Sequence, residues 1–451
     1  MSVPDNSMSN TAPSGNYRAV WRWHFYAGFL VLPFLMLMAL TGGLYLFKAE
    51  IDDAVYRPMA AVEARGTPAS PDRWVAAARV GTGGEVTNVM VPDRPDRAVQ
   101  MTVRLPDDSR RIAFVDPYSA ELKGVTAYVG LTETIKRLHS LEQFGPVMNL
   151  VVEIVAGWAI ILLATGLFLW WPRKRAVGVT TLKATDPKRR PFWRDLHALT
   201  GLYAGGIILF LAVTGMPWSS VWGGQVLKAM NEAGLGRPQA PSAASSWAHA
   251  EHDDKPKGAG WALEHSGVTT DHQMAPPRLS LVIDRAEAMQ LPRPYTVSIP
   301  ASADRTFAVA RQNERVQDSR TLYVDGTTGT LRGDIRYEQY GWGAKAFEWG
   351  IFTHQGTQYG QINRIIMLLG CIAVWVLAIS GLIMWWKRRP ARRGLSLGAP
   401  PAPGGLRARA AVLGIVIPLC LLYPLTGLSL LAALALDRLV ARLVRPRPVA
   451  S

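Results

Sequence analysis

Four histidines stand at repeated distances from four small dipeptides. His24 precedes Thr41-Gly42 by seventeen residues, and His197 precedes Thr214-Gly215 by seventeen. His139 precedes Thr165-Gly166 by twenty-six residues, and His354 precedes Ser380-Gly381 by twenty-six. Imidazole nitrogen is the commonest protein metal ligand at neutral pH, and polar groups at membrane depth generally carry function. Histidines repeated in register with their surroundings therefore point to a metal held between the copies. Iron in haem fits, because six-coordinate haem b asks the protein for one imidazole on each face.

The elements that must position these histidines are membrane spans. Of the 451 residues 49% are hydrophobic, and a bilayer-crossing helix needs about 20 apolar residues. Runs of that length give spans over 21–47, 148–171, 196–220, 362–386 and 410–436. The first run is too long for the apolar core of a signal peptide and reads as retained.

Charge placement orients the spans. The net charge is +15, but it is concentrated in the short loops 172–195 and 387–409. Basic loops beside spans face the cytoplasm, so a nucleic-acid partner is excluded. The tail 1–20 is then cytoplasmic, while 48–147 and 221–361 lie in the periplasm of a bacterial inner membrane. The fifth run conflicts with this rule, because Arg438, Arg442, Arg445 and Arg447 follow it in the tail 437–451. The run either crosses in a more complex way or ends in a surface helix. Cys371 and Cys420 lie inside apolar runs and read as small hydrophobes rather than a disulfide framework.

The outer segments repeat as well. Val115-Asp116-Pro117-Tyr118-Ser119-Ala120-Glu121-Leu122-Lys123-Gly124 aligns with Val324-Asp325-Gly326-Thr327-Thr328-Gly329-Thr330-Leu331-Arg332-Gly333. Both predict strand, turn and strand. Helices over 72–80 and 281–289 precede them, with strands over 86–91, 99–104, 295–299 and 306–310. The expectation is a small α+β module in each half. The second half is longer by an insert over 236–275, rich in Ala, Ser, Pro and charge, which reads as an extended loop. Its His249, His252, His265 and His272 show no regular ligand spacing.

The fold class expected is thus an integral membrane helical bundle, four core helices plus one, built as two parallel pseudo-repeats with two periplasmic α+β modules. Parallel repeats are related by an axis along the membrane normal. That axis pairs His24 with His197 on the cytoplasmic side and His139 with His354 on the outer side, making two haem b sites. Arg22 and Arg194 adjoin the inner histidines and suit haem propionates, though they equally serve positive-inside topology. The fifth run repeats the Thr-Gly signal as Thr426-Gly427, but Arg409 stands at its histidine position. No glycine-rich phosphate loop marks a nucleotide site.

Three features together carry a family resemblance: the Trp-Arg…His openings (Trp21-Arg22-Trp23-His24; Trp193-Arg194-Asp195-Leu196-His197), the Thr/Ser-Gly-Leu…Trp-Trp span ends, and the paired Val-Asp turns. Over most of residues 17–390 the chain resembles the PepSY-associated transmembrane helix family of bacterial inner membranes. The resemblance implies a haem-containing reductase that acts on a ferric siderophore or similar ferric chelate in the periplasm. Its electrons would come from a separate cytoplasmic or membrane donor. Two rival readings are a non-enzymatic anchored module that binds or regulates a periplasmic protein, and a permease for the chelate.

Overall fold

The computed structural model describes residues 15–171, 180–238, 277–301, 306–388 and 406–443. In chain order the elements are α1 (Gly15–Tyr45), α2 (Lys48–Ala60), α3 (Pro71–Thr82), β1 (Glu85–Val91), β2 (Val99–Arg104), β3 (Arg110–Val115), β4 (Leu122–Ala127), α4 (Leu131–His139), α5 (Pro146–Trp170), α6 (Arg190–Gly215) and α7 (Trp222–Glu232). They continue with α8 (Leu279–Ala288), β5 (Tyr295–Ser298), β6 (Phe307–Arg311), β7 (Arg320–Val324), β8 (Leu331–Arg336), α9 (Trp342–His354), α10 (Gly360–Trp386), α11 (Leu406–Leu422) and α12 (Pro424–Leu443). The chain divides into a helical unit (1–43, 137–225, 366–451) and a sheet unit (44–136, 226–365).

The protein is a multi-pass membrane protein. Among the described residues, α1, α5, α6 with its short extension to Trp218, and α10 are long and apolar enough to cross a bilayer. A helix satisfies its own backbone groups, as lipid demands. Prolines in the first turns of α5 and α6 cost little, because their missing N–H groups have no intrahelical partner there.

The expected fifth span over 410–436 is corrected: that run is two helices, α11 of 17 residues and α12 of 20 residues, broken at Tyr423. Pro424 explains the break, since proline disfavours helical geometry in the residue before it and donates no hydrogen bond. Both helices pack on α5. Val416 and Leu430 join Val20, Ala27 and Val31 of α1 and Val155, Trp158 and Ile161 of α5 in one apolar core. Trp158 Nε1 donates to Ser429 Oγ at 2.9 Å.

In the sheet unit, the two expected modules are fused. All eight strands form one sheet in the order β4-β3-β2-β1-β5-β6-β7-β8. The join is an antiparallel pairing of β1 with β5, in which Val89 faces Val297 and Val91 faces Tyr295. One core then runs through both stretches of sequence, from Trp74, Val89 and Met101 to Tyr295, Val309 and Leu322. Helices α3 and α8 cover that face. Ser280 on α8 gives its hydroxyl to Asp72 on α3 at 2.5 Å and its N–H to the same carboxylate at 3.2 Å.

The repeated Val-Asp turns agree down to their hydrogen bonds. Asp116 Oδ1 accepts from Tyr118 N at 2.8 Å, and Asp325 Oδ1 accepts from Thr327 N at 2.9 Å. Asp325 is 1% exposed. Burial pulls its carboxyl upward, yet the Thr327 hydroxyl and N–H, with Arg332, outweigh this and hold it below the ordinary carboxylate range. Its ionised form therefore contributes stability above the unfolded carboxylate pKa, and the contribution is lost as pH falls through the lower folded value.

Four residues after each aspartate the backbone is left-handed, at φ +58° for Ala120 and +67° for Gly329. Alanine is strained there and glycine is not. Ala120→Gly is expected to raise stability by about 1 kcal/mol, and Gly329→Ala to lower it by a similar amount. Thermal unfolding of the two variants checks the pair, and an Ala120→Gly protein less stable than the parent would contradict it.

Candidate functional site

His24 lies in α1, His197 in α6, His139 at the end of α4 and His354 at the end of α9. His354 belongs to the sheet unit and the other three to the helical unit. The structure brings His24 and His197 together, with ring centres 6.4 Å apart and planes at 85°. Two imidazoles that each place a nitrogen about 2 Å from one metal have ring centres roughly 6 Å apart on a straight line. The observed pair meets that spacing.

Three of the imidazoles rest in the same three-part cradle. Thr165 Oγ1 lies 2.9 Å from His24 Nδ1, and the Leu162 carbonyl bonds the same ring. Ser380 Oγ and the Leu377 carbonyl lie 3.0 and 3.1 Å from His197 Nδ1. The Met38 carbonyl and Thr41 Oγ1 lie 2.9 and 3.2 Å from His139 Nδ1. In each case the carbonyl stands three residues before the hydroxyl, and a glycine follows it. A Cβ added at Gly166, Gly381 or Gly42 would approach the Cε1 of His24, His197 or His139 at 3.4, 3.7 and 3.0 Å respectively. The glycine is the clearance that lets the ring lie against the helix.

These contacts decide the tautomer. Thr41, Thr165 and Ser380 each donate their hydroxyl hydrogen back into their own helix, to Leu37 O at 2.7 Å, Ile161 O at 2.7 Å and Leu377 O at 3.1 Å. Such a hydroxyl faces the ring as an acceptor, and a carbonyl can only accept. Nδ1 must therefore carry the hydrogen, which leaves the lone pair on Nε2. In that form the ring can bind a metal through Nε2. All three rings are set deep in the protein yet keep part of their surface accessible.

The cradles are exchanged between elements. His24 of α1 uses Thr165-Gly166 of α5, while His139, which leads into α5, uses Thr41-Gly42 of α1. His197 of α6 uses Ser380-Gly381 of α10. Thr214 on α6 bonds back to Phe210 O at 2.6 Å, as the cradle hydroxyls do. Thr426 of the fifth run instead lies against Gly157 of α5.

Two asparagines fix the chain beside His139 and His354. Asn149 Nδ2 donates to Ser140 O at 2.9 Å, and Asn363 Nδ2 donates to Thr353 O at 2.9 Å. Ser140 and Thr353 are the immediate neighbours of His139 and His354. Asn149 also accepts from Ser220 Oγ at 2.5 Å. Arg22 lies over the Tyr26 ring at 5.0 Å. Arg194 gives Nε and Nη2 to Asp195 Oδ1 at 3.0 and 2.7 Å, so its nearest anion belongs to its own helix.

Among the described residues no group of three or more His, Cys, Asp or Glu is arranged to hold a metal ion. A paired-imidazole site does not need one, since a porphyrin itself supplies four nitrogens. His249, His252, His265 and His272 lie outside the described residues.

The family model for the PepSY-associated TM region matches residues 21–388. The chain belongs to the PepSY-associated transmembrane family. No curated protein matches it. The match covers all four histidines and all three observed cradles of this PepSY-associated protein, while α11 and α12 fall beyond it. Reading the sequence found the histidines and the Thr/Ser-Gly dipeptides but not their exchange, nor Asn149 and Asn363. The register of four histidines with four of the Thr/Ser-Gly dipeptides was the available signal.

Proposed function

We propose that this PepSY-associated protein is a haem-dependent electron carrier of the bacterial inner membrane that reduces a ferric chelate, of siderophore type, in the periplasm. One observation carries the reading: the ring centres of His24 and His197 lie at a metal-spanning separation of 6.4 Å with both Nδ1 atoms engaged. His24 and His197 would hold one haem b through their Nε2 lone pairs. By its matching cradle, His139 is the ligand proposed for a second. Arg22 and Arg194, with Asp195 orienting the latter, would attract propionates. The haem supplies one-electron transfer when bound. The protein's own part is to hold the imidazoles rigidly, exclude water with apolar helices, and keep the acceptor on the outer side.

The two pseudo-repeats, which rest on the repeated spacings, belong to the same proposal, as do the periplasmic placement of the sheet unit and the cytoplasmic N-terminus, which rest on the basic loops. Electrons would come from a separate donor on the cytoplasmic or membrane side. Reducing Fe(III) to Fe(II) weakens its hold on hard oxygen ligands, which releases the metal.

The expected result is two haems per chain by pyridine haemochrome, with reduced protein reoxidised by ferric siderophore in the absence of oxygen. A fully folded preparation that binds no haem would sink the reductase reading in favour of a non-enzymatic module. Reoxidation by a periplasmic protein but by no ferric chelate would overturn the substrate alone.

A further inference from the structure

We propose that Thr165, Ser380 and Thr41 are positioning residues that set the reduction potentials of the histidine-bound centres. This inference rests on the haem reading above and deepens it. Hydroxyls in membrane helices often bond back to their own backbone with no further role, so the back-bond alone says nothing. Three other observations carry the case.

First, a hydroxyl meets Nδ1 of three different imidazoles, a carbonyl three residues before it bonds the same ring, and a glycine clears the ring's Cε1 in each case. Second, the hydroxyl is surplus to simple satisfaction. A single N–H needs one acceptor, and the carbonyl already supplies it; at His197 the two acceptors lie within 0.1 Å of equal distance, at 3.0 and 3.1 Å. Third, the hydroxyl's own hydrogen is committed elsewhere, so it presents only lone-pair density to the ring.

The chemical consequence follows from the polarity of imidazole. Acceptors crowded on Nδ1–H draw its hydrogen outward and raise the electron density at Nε2. A more basic Nε2 favours the more highly charged metal ion, so each cradle hydroxyl stabilises the oxidised state and lowers the potential. Partners of this kind change metal affinity by about 10- to 100-fold when removed. Here the carbonyl remains after the hydroxyl is deleted, so the lower end applies. A tenfold loss of preference for the oxidised ion reads as a rise of about 59 mV in a one-electron couple.

The cradles also assign the shifts to centres. Thr165 acts on His24 and Ser380 on His197, so Thr165→Val and Ser380→Ala should raise the same potential and their effects should add. Thr41 acts on His139, so Thr41→Val should raise the other potential and leave the first unmoved. Thr165→Ser restores an acceptor and should return the potential to its starting value.

The experiment is a spectroelectrochemical titration of the full-length protein and these variants, with haem content and low-spin EPR signals measured alongside. Full haem content with unchanged potentials in Thr165→Val and Ser380→Ala would reduce the hydroxyls to helix packing and overturn the inference, while leaving the electron carrier intact. Should Thr165→Val fail to assemble, Ser380→Ala decides the matter on the facing imidazole, where the Leu377 carbonyl keeps the ring in place. A parent protein without haem would overturn both the inference and the reading beneath it.

Discussion

His24→Ala and His197→Ala are each expected to erase the same proposed redox centre, and His139→Ala to spare it. The His24 and His197 rings lie 6.4 Å apart although 173 residues separate them in sequence, since they come from α1 and α6. In the proposed haem reading each ring would supply one imidazole nitrogen to the iron, so loss of either would leave the group short of a protein ligand. The expected outcome in both variants is loss of one low-spin signal and one potential, with about half the haem retained weakly or not at all. His139→Ala, whose ring rests on Thr41 and Met38 instead, should remove the other potential. Redox titration of the three proteins checks this. Loss of one common potential in His24→Ala and His139→Ala would refute the pairing.

Val89→Asp is expected to unfold the sheet unit as a whole rather than its first half. Val89 faces Val297 across the β1–β5 join, and both are fully buried. An uncompensated charge in such a site costs about 3–5 kcal/mol, against a typical domain stability of about 5–15 kcal/mol. Because one core serves both stretches of sequence, segments 85–127 and 295–336 should lose protection together. Limited proteolysis or hydrogen exchange reads this directly. Protection lost from 85–127 alone would mean that the two halves fold independently.

The strands were legible in the sequence because their alternation and turn residues are local. Helices expected over 72–80 and 281–289 are α3 and α8, and the strands expected over 86–91 and 99–104 are β1 and β2. The fusion of the two modules was not legible. It depends on which edge of β1 remains open, and no periodicity records that. Pro424 was visible, yet a hydropathy window averages over one proline and sees a single span. At the site, residue types were readable from spacing, whereas Thr165 meeting His24 depends on how α1 and α5 cross. Asn149 and Asn363 carry no periodic signal, being single polar residues near the starts of apolar runs.

The three-part cradle has a consequence for engineering. It is written almost wholly into one helix: a backbone carbonyl, a hydroxyl one residue short of a full turn later, and a glycine beside it. It needs no loop, no charged residue and no second polar side chain. Only two side-chain choices in an otherwise apolar segment are required to make a seat for an imidazole, at little cost to insertion into lipid. Such a seat is portable. Writing Thr-Gly into one helix of a designed membrane bundle, opposite a histidine on its neighbour, would pre-set the ring's orientation before any metal arrives.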